Sequence, residues 1–464
     1  MACRLARLFV SFALVGTLAG CATYSDSFDN IQRDLSARQH DAALQEIEKQ
    51  AGSKTDHVLY LLNKGMVLRM KGDFVDSNQS LESAKEEMDS LYAASISENA
   101  LSFLINDATV SYAGDDYEQV LVHLYMALNY LELGNQTDAR VEALQVDIKL
   151  REIGENIPDS KFTEDAFSRY LTGLIYEESG EWSDAMIAYR KAYEAYKKYQ
   201  VNFGMAIPDM LKHDLIRLAQ RQGLKNEAAQ YMKEFGIEIL QEKKPEQESE
   251  LVYILNNGLA PIKREHVVSM WAPPPVVVVS KSGKKSSNVT PMPVLVNIAL
   301  PYYESRPNIV LNARISVFGK QTDSQLMEDV DAIARASLDA RMPAITARSI
   351  ARAVAKGAIQ KSVDNAGSGN NDVGAQLISS LVVRVAAAAT ERADTRSWLT
   401  LPSNIQMARL PLSPGSYDIK VELLGADGQT VATRVYPGVE ITKAHKTYLS
   451  QHWIPDYQIT RRKR

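Results

Sequence analysis

An all-α repeat solenoid followed by a strand-rich α+β domain with an alanine-rich helical insert is the architecture that the 464-residue sequence predicts. Three observations predict it. Small and apolar residues recur at matching offsets through the first half of the chain. A charged, proline-containing run at 241–250 then ends the helical pattern and reads as a linker. Segments rich in β-branched and aromatic residues, bounded by turn signals, fill much of 251–464. With 45% hydrophobic and 23% charged residues the chain can build folded domains, which excludes a wholly disordered chain and a multispanning membrane protein. A formal net charge of −5 excludes a generally basic nucleic-acid binder.

The first element is a leader. Arg4 and Arg7 precede an apolar stretch at 8–15 and the small-residue run Thr17-Leu18-Ala19-Gly20, which reads as a secretory signal peptide over 1–20, too short to span a membrane as a mature helix. Leu18-Ala19-Gly20-Cys21 resembles the bacterial lipobox. That resemblance implies cleavage before Cys21, lipid attachment to its sulfur and acylation with chains such as palmitate, each buried methylene adding about 0.8 kcal/mol of membrane affinity. Residues 21–28 would then be a lipid-anchored tether. By resemblance to Gram-negative lipoproteins, Ala22 in place of Asp after the cysteine implies a cell outer membrane position facing the periplasm, the inner membrane being the alternative. Cys3 lies in the segment to be removed, so the mature chain keeps Cys21 alone and no internal disulfide is expected.

Residues 29–240 read as helix pairs. One string runs Gly65, Leu68, Gly72, Asp73, Phe74, Ser77, Leu81, Ala84, and a second Gly173, Tyr176, Gly180, Glu181, Trp182, Ala185, Tyr189, Ala192 at identical offsets. Both match the tetratricopeptide pattern. Weaker copies carry Ala127, Tyr130, Gly134, Ala139, Ala143 and Ile216, Ala219, Gly223, Ala228, Met232, and Asp41-Ala42-Ala43-Leu44 is a partial opening copy. The first small residue lets paired helices approach and the second glycine ends the first helix. The turn glycines at 72, 134, 180 and 223 stand 62, 46 and 43 apart, so extra chain lies between units. In the widest gap, 95–112 reads as another helix, with a turn and helix start at Gly114-Asp115-Asp116-Tyr117-Glu118. Stacked pairs make a concave face that commonly receives a peptide or helix. Arg69, Tyr170 and Glu177 fall on first-helix positions facing it and are the candidate partner contacts, each weighed against a solvated helix face.

After the linker, strands are expected at 251–255, 276–279, 294–300, 309–318, 405–410, 417–424 and 431–436, with Pro414-Gly415 as a strand entry and Ala426-Asp427-Gly428 as a hairpin turn. A small β-sandwich or open sheet follows from them. Helices are expected at 323–338, 343–363 and 373–392, the insert spanning about 323–392. Ala347, Ala351, Ala355 and Ala358 form a small-residue stripe suited to close helix packing, and 373–390 is apolar enough to raise membrane contact, which Arg384 argues against. Charge is divided unevenly. Residues 1–250 hold 26 basic and 41 acidic side chains, 251–464 hold 26 and 16. The halves could attract each other, or the basic half could face an anionic envelope polymer or lipid surface, with Arg461-Arg462-Lys463-Arg464 as its most exposed part.

Catalytic motifs are absent from the sequence. The seven histidines lack the spacing of a zinc hydrolase, Ser282-Gly283-Lys284 is not a phosphate loop, and no Gly-x-Ser-x-Gly elbow occurs. No metal site, cofactor or enzyme activity is expected. Asn106-Asp107 with Tyr112-Ala113-Gly114-Asp115-Asp116-Tyr117-Glu118, Glu391-Arg392-Ala393-Asp394-Thr395-Arg396-Ser397-Trp398 with Leu401-Pro402, and Leu412-Ser413-Pro414-Gly415-Ser416-Tyr417 are the most distinctive strings. On these residues the chain resembles an uncharacterised family of Gram-negative tetratricopeptide-repeat-containing lipoproteins with a conserved C-terminal domain. The resemblance implies an envelope setting and no activity. Asp394, Arg396 and Trp398 are candidate partner-binding residues, weighed against an ion pair and a buried tryptophan. The expectation is a lipid-anchored, non-catalytic protein-protein interaction scaffold in envelope assembly or maintenance. An activator of peptidoglycan synthesis and an envelope hydrolase are the alternatives.

Overall fold

The computed structural model describes residues 24–97, 110–156, 164–237, 249–272, 294–366 and 392–456. Among the described residues eleven helices lead, grouped in antiparallel neighbours along the chain. They are α1 (Tyr24–Ser27) and α2 (Asp29–Ser36) with α3 (His40–Glu48), then α4 (His57–Lys71) with α5 (Phe74–Ser97), α6 (Asp116–Glu132) with α7 (Gln136–Asn156), α8 (Ala166–Glu178) with α9 (Trp182–Phe203), and α10 (Asp209–Arg221) with α11 (Lys225–Phe235). Gly72, Gly134, Gly180 and Gly223 all take positive φ, the left-handed conformation that ends a first helix and that glycine adopts without strain. The small residues inside the first helices have a different job. A Cβ on Gly65 would stand 2.7 Å from the Leu81 side chain, and one on Gly173 would strike the Tyr189 ring. The N-terminal half is thus a tetratricopeptide-like array, and a strand-rich region follows it.

Among the described residues that region has three sheets. Strands β1 (Ser249–Asn257), β6 (Gln325–Asp329), β7 (Asn404–Leu412) and β10 (Lys446–Trp453) form one in the order β10-β1-β7-β6, β1 and β10 running parallel. Strands β4 (Asn312–Val317), β5 (Lys320–Asp323), β8 (Gly415–Leu424) and β9 (Thr430–Ile441) form a second, β5-β4-β8-β9. A ribbon of β2 (Ile262–Ala272) and β3 (Val294–Glu304) is the third. One helix, α12 (Val330–Ala366), precedes β7.

The layers follow from the alternation of β1. Leu251, Tyr253 and Leu255 pack with Ala313, Ile315, Val317, Ile419, Val421 and Leu423 of the second sheet. Val252 and Ile254 face the other way, into the core built by the repeat helices. A run apolar at every position is therefore a strand buried on both faces, between helices and a second sheet. Ile405 and Met407 of β7 join the helical core while Ala408, Leu410 and Leu412 join the sandwich. Both halves of the chain share one core.

Several expectations change. The tether expected at 21–28 is already structured at α1, with Ser25 and Phe28 buried. Of the helix expected at 95–112, residues 95–97 belong to α5 and 98–109 lie outside the described residues, while Tyr112 is not helical, its N–H being bonded to the Thr55 carbonyl at 2.8 Å. Asp323 ends β5 and residues 325–329 are strand rather than helix, because Gln325, Leu326, Glu328 and Asp329 pair with β7. The two helices expected about Pro343 are a single one. An internal proline costs roughly 3 kcal/mol, offset here by Leu338 in the core and by Met342 and Ile345 packed against it. On α12, Ile350, Ala353 and Val354 pack on the ribbon while Ala347 of the alanine stripe is exposed; the side chains of Ala355 and Ala358 lie outside the description. The strand expected at 276–279, the helix at 373–392 with its membrane reading, the Ser282-Gly283-Lys284 turn, most of the linker and the basic C-terminal run lie outside the described residues. Among the described residues no helix is long and apolar enough to cross a membrane.

Replacing Gly173 by Ala should cost about 1 to 3 kcal/mol through overpacking against Tyr189. Replacing Gly180 by Ala, where the space is open but φ is +77°, should cost about 1 kcal/mol. Denaturant unfolding of the two variants measures both.

Candidate functional site

The strings singled out near 112–118 and 392–398 meet at the junction of the two halves. Asp115, the residue before α6, and Glu118 in its first turn are both buried. Glu118 accepts hydrogen bonds from the Tyr112 hydroxyl at 2.5 Å, the Asp115 N–H at 3.1 Å and the Trp398 N–H at 2.7 Å. Burial, with Asp115 close by, pushes its carboxyl up to about 7. Asp115 is approached from three elements of the second half: Lys263 of β2 at 3.0 Å, Tyr303 of β3 at 3.2 Å and Arg341 of α12 at 2.7 Å. Burial opposes its ionisation, yet Arg341 and Lys263 outweigh that and hold it well below the usual carboxylate range.

Asp394, Arg396 and Trp398 complete the same junction. Arg396 donates to Asp394 through two bonds of 2.9 and 2.7 Å, to the carbonyls of Thr55 and Val110, and to Asp56 at 3.2 Å. Its guanidinium lies over the Tyr112 ring. Trp398 is fully buried, edge-on to Tyr125, and its indole N–H donates to Thr400. Arg396 and Trp398 therefore hold the C-terminal half to the repeats, and neither has surface left for an outside molecule.

The inner face of the array tells the same story. The repeat template places Arg69, Tyr170 and Glu177 on it, and all three are buried. What faces them belongs to the same chain. Arg409 of β7 donates to the Tyr170 hydroxyl at 2.8 Å, is paired with Asp214 of α10, and takes both oxygens of Glu250 of β1 at 2.9 and 2.8 Å. Tyr170 donates to Asp214 at 2.7 Å. Arg217 joins Asp214 to Glu177, which also accepts from Tyr189 at 2.6 Å. Arg69 is bonded to Asn129 and, at 2.7 Å, to Ser450 of β10. The groove expected to receive a partner is closed by β7 and β10, so these three side chains are intramolecular contacts in this conformation.

A further contact escaped the sequence reading. Glu328 of β6, fully buried, accepts the Phe167 N–H at the start of α8 at 3.3 Å and the Tyr199 hydroxyl at 3.2 Å. Asp165 caps the same helix by accepting from the Ser168 N–H at 2.6 Å. Burial pushes Asp165 up to about 6, and burial together with Asp165 pushes Glu328 well above the ordinary value. No local pattern marks Glu328, because the helix it caps lies 161 positions away.

Among the described residues no group of three or more His, Cys, Asp or Glu side chains could hold a metal ion. No protein-family model matches the chain, and no curated protein matches it significantly. Several solved structures are similar to its N-terminal part. A crystal structure of MamA protein is 15% identical over 47% of this chain and 97% of that chain, with a TM-score of 0.29. A second crystal structure of MamA is 16% identical over 44% and 90%, with a TM-score of 0.28. The repeat assignment rests on the helix pairs and turn glycines themselves.

Replacing Arg409 by Met should leave Asp214 and Glu250 without their shared cation and cost about 3 to 5 kcal/mol, read as a fall in the denaturation midpoint. Glu328 and Asp165 keep protons in the folded chain at pH values where the unfolded chain has released them. Their contribution is therefore present at low pH and lost as pH rises through the folded values. As pH rises above the ordinary carboxylate range, Glu328→Gln should gain stability relative to the native chain, and a pH series of urea denaturations checks it.

Proposed function

We propose that this chain is a lipid-anchored, non-catalytic interaction scaffold of the cell envelope, fixed to the outer membrane through Cys21 and facing the periplasm. The leader and the Leu18-Ala19-Gly20-Cys21 string support the anchor. The observation that carries the scaffold reading is the junction described above: a repeat array of a kind used to bind proteins, with its inner face spent on holding a second domain of the same chain. Such a body presents a fixed outer surface. The described fold begins at Tyr24, and three residues of chain span at most about 10 Å, so a lipid on Cys21 would hold α1 and α2 close to the bilayer. In this reading the partner is a protein of the same compartment, met on surfaces other than the filled groove.

Two measurements test the proposal. Cys21→Ser should move the chain from the membrane to the soluble fraction on cell fractionation; a variant that still sediments with membranes contradicts the anchor. In-cell crosslinking and capture of the full chain should recover an envelope protein whose own capture returns this chain. The absence of any reciprocal pair, or turnover of a cell-wall substrate by the purified protein, contradicts the scaffold.

A further inference from the structure

We propose that a cavity of about 300 Å³ between the first repeats and the last strands is a binding site for a small anion carrying a carboxylate or phosphate group. The cavity lies where the α2–α3 loop, the end of α4, β9 and β10 converge, and its volume is at the lower end of small-molecule sites.

The charge of its lining is unbalanced. Arg38, Arg69, Lys71 and Arg434 line it, against Glu132 alone among acidic side chains. Lys71 is already neutralised by Asp41 at 3.1 Å and Asp73 at 3.0 Å. Among the described residues no carboxylate stands within ion-pair distance of the other three. Arg69 is the most telling of them. It is 6% exposed, and its hydrogen-bond acceptors, Asn129 and Ser450, are neutral. A guanidinium buried on neutral acceptors retains donors for a charged one. Arg38 and Arg434 reach the cavity over aromatic faces, their guanidinium carbons 5.9 Å from the Trp453 ring centre and 4.5 Å from that of Tyr436.

Two further observations point to a ligand. The Trp453 indole nitrogen is buried without a hydrogen-bond partner, and so is one oxygen of Glu132. A buried polar atom without a partner calls for one, and of the several such atoms among the described residues two lie in the lining of this one cavity. The first is a donor suited to an anion. The second is an acceptor, suited to an ammonium or hydroxyl on the same molecule. Arg38 also holds φ at +59°, a left-handed conformation in which a non-glycine side chain is strained. Strain of this kind concentrates at binding sites, where it fixes a side chain in place.

The ligand would touch both halves of the chain, with Arg38 and Arg69 from the repeats and Arg434 and Trp453 from the strands. It would therefore bind the closed form alone and raise its stability.

The test uses the purified full chain and three probes, inorganic phosphate, alanine and N-acetylalanine, with titration calorimetry and thermal unfolding. At least one probe should bind saturably and raise the midpoint of unfolding. Phosphate alone identifies a phosphorylated ligand; either alanine probe identifies a carboxylate, and a preference for free alanine assigns the ammonium to Glu132. Arg38→Gly removes the strain as well as the cation, so it should fold at least as stably as the native chain. It should nonetheless bind the active probe about tenfold more weakly. Arg434→Gln should weaken binding in the same direction, and Arg33→Gln, on an exposed face of α2, should not. No saturable binding of any probe, or binding that neither Arg38→Gly nor Arg434→Gln weakens, overturns the proposal.

Discussion

The inner face of the repeat array cannot stand bare in water, and most of the structure follows from how the chain covers it. Val252 and Ile254 of β1, Ile405 and Met407 of β7, and Trp398 enter the core formed by α4 through α10. Burial of that apolar surface supplies the stabilisation. The ion pairs across the junction do something else. Asp115 with Lys263 and Arg341, Asp214 with Arg409, and Asp56 with Arg396 each join an acid from the repeats to a base from the second half. Buried pairs add little net free energy but penalise any arrangement that separates them, so they set the register of one half on the other. The opposite charges of the two halves have their physical use here.

The helical half was legible because its signals are local. A left-handed helix end needs glycine, and a close helix approach needs a missing Cβ; both requirements leave marks at fixed offsets, as at Gly65 and Gly72 or Gly173 and Gly180. The strand-rich half was legible only where a strand carries its own pattern. Strand β1 reads plainly from Leu-Val-Tyr-Ile-Leu. Strand β10 does not, since it is strand by virtue of parallel pairing with β1, nearly two hundred residues earlier. Strand β2 was hidden by Lys263 and Arg264 near its start, and Lys263 is tolerated there because Asp115 receives it.

The candidate residues divide the same way. That Arg69, Tyr170 and Glu177 face inward follows from the repeat template. What meets them does not, because Arg409 lies 239 positions from Tyr170 and Ser450 lies 381 from Arg69. Likewise the strings around Glu118 and Trp398 stood out separately, and only the fold brings the Trp398 N–H onto the Glu118 carboxylate. Distinctive residues proved to be the ones that close the molecule. Side chains able to meet another molecule were less conspicuous in sequence, as Arg38 and Arg434 are.

Native-state hydrogen exchange on the full chain tests this account most directly. If the array and the sheet share one core, amides of α8 and of β1 and β7 exchange through a single opening of the same free energy, falling together as denaturant is added. Exchange of the α8 amides through a separate, lower-energy opening, with β1 and β7 still protected, would show two independent bodies and contradict it.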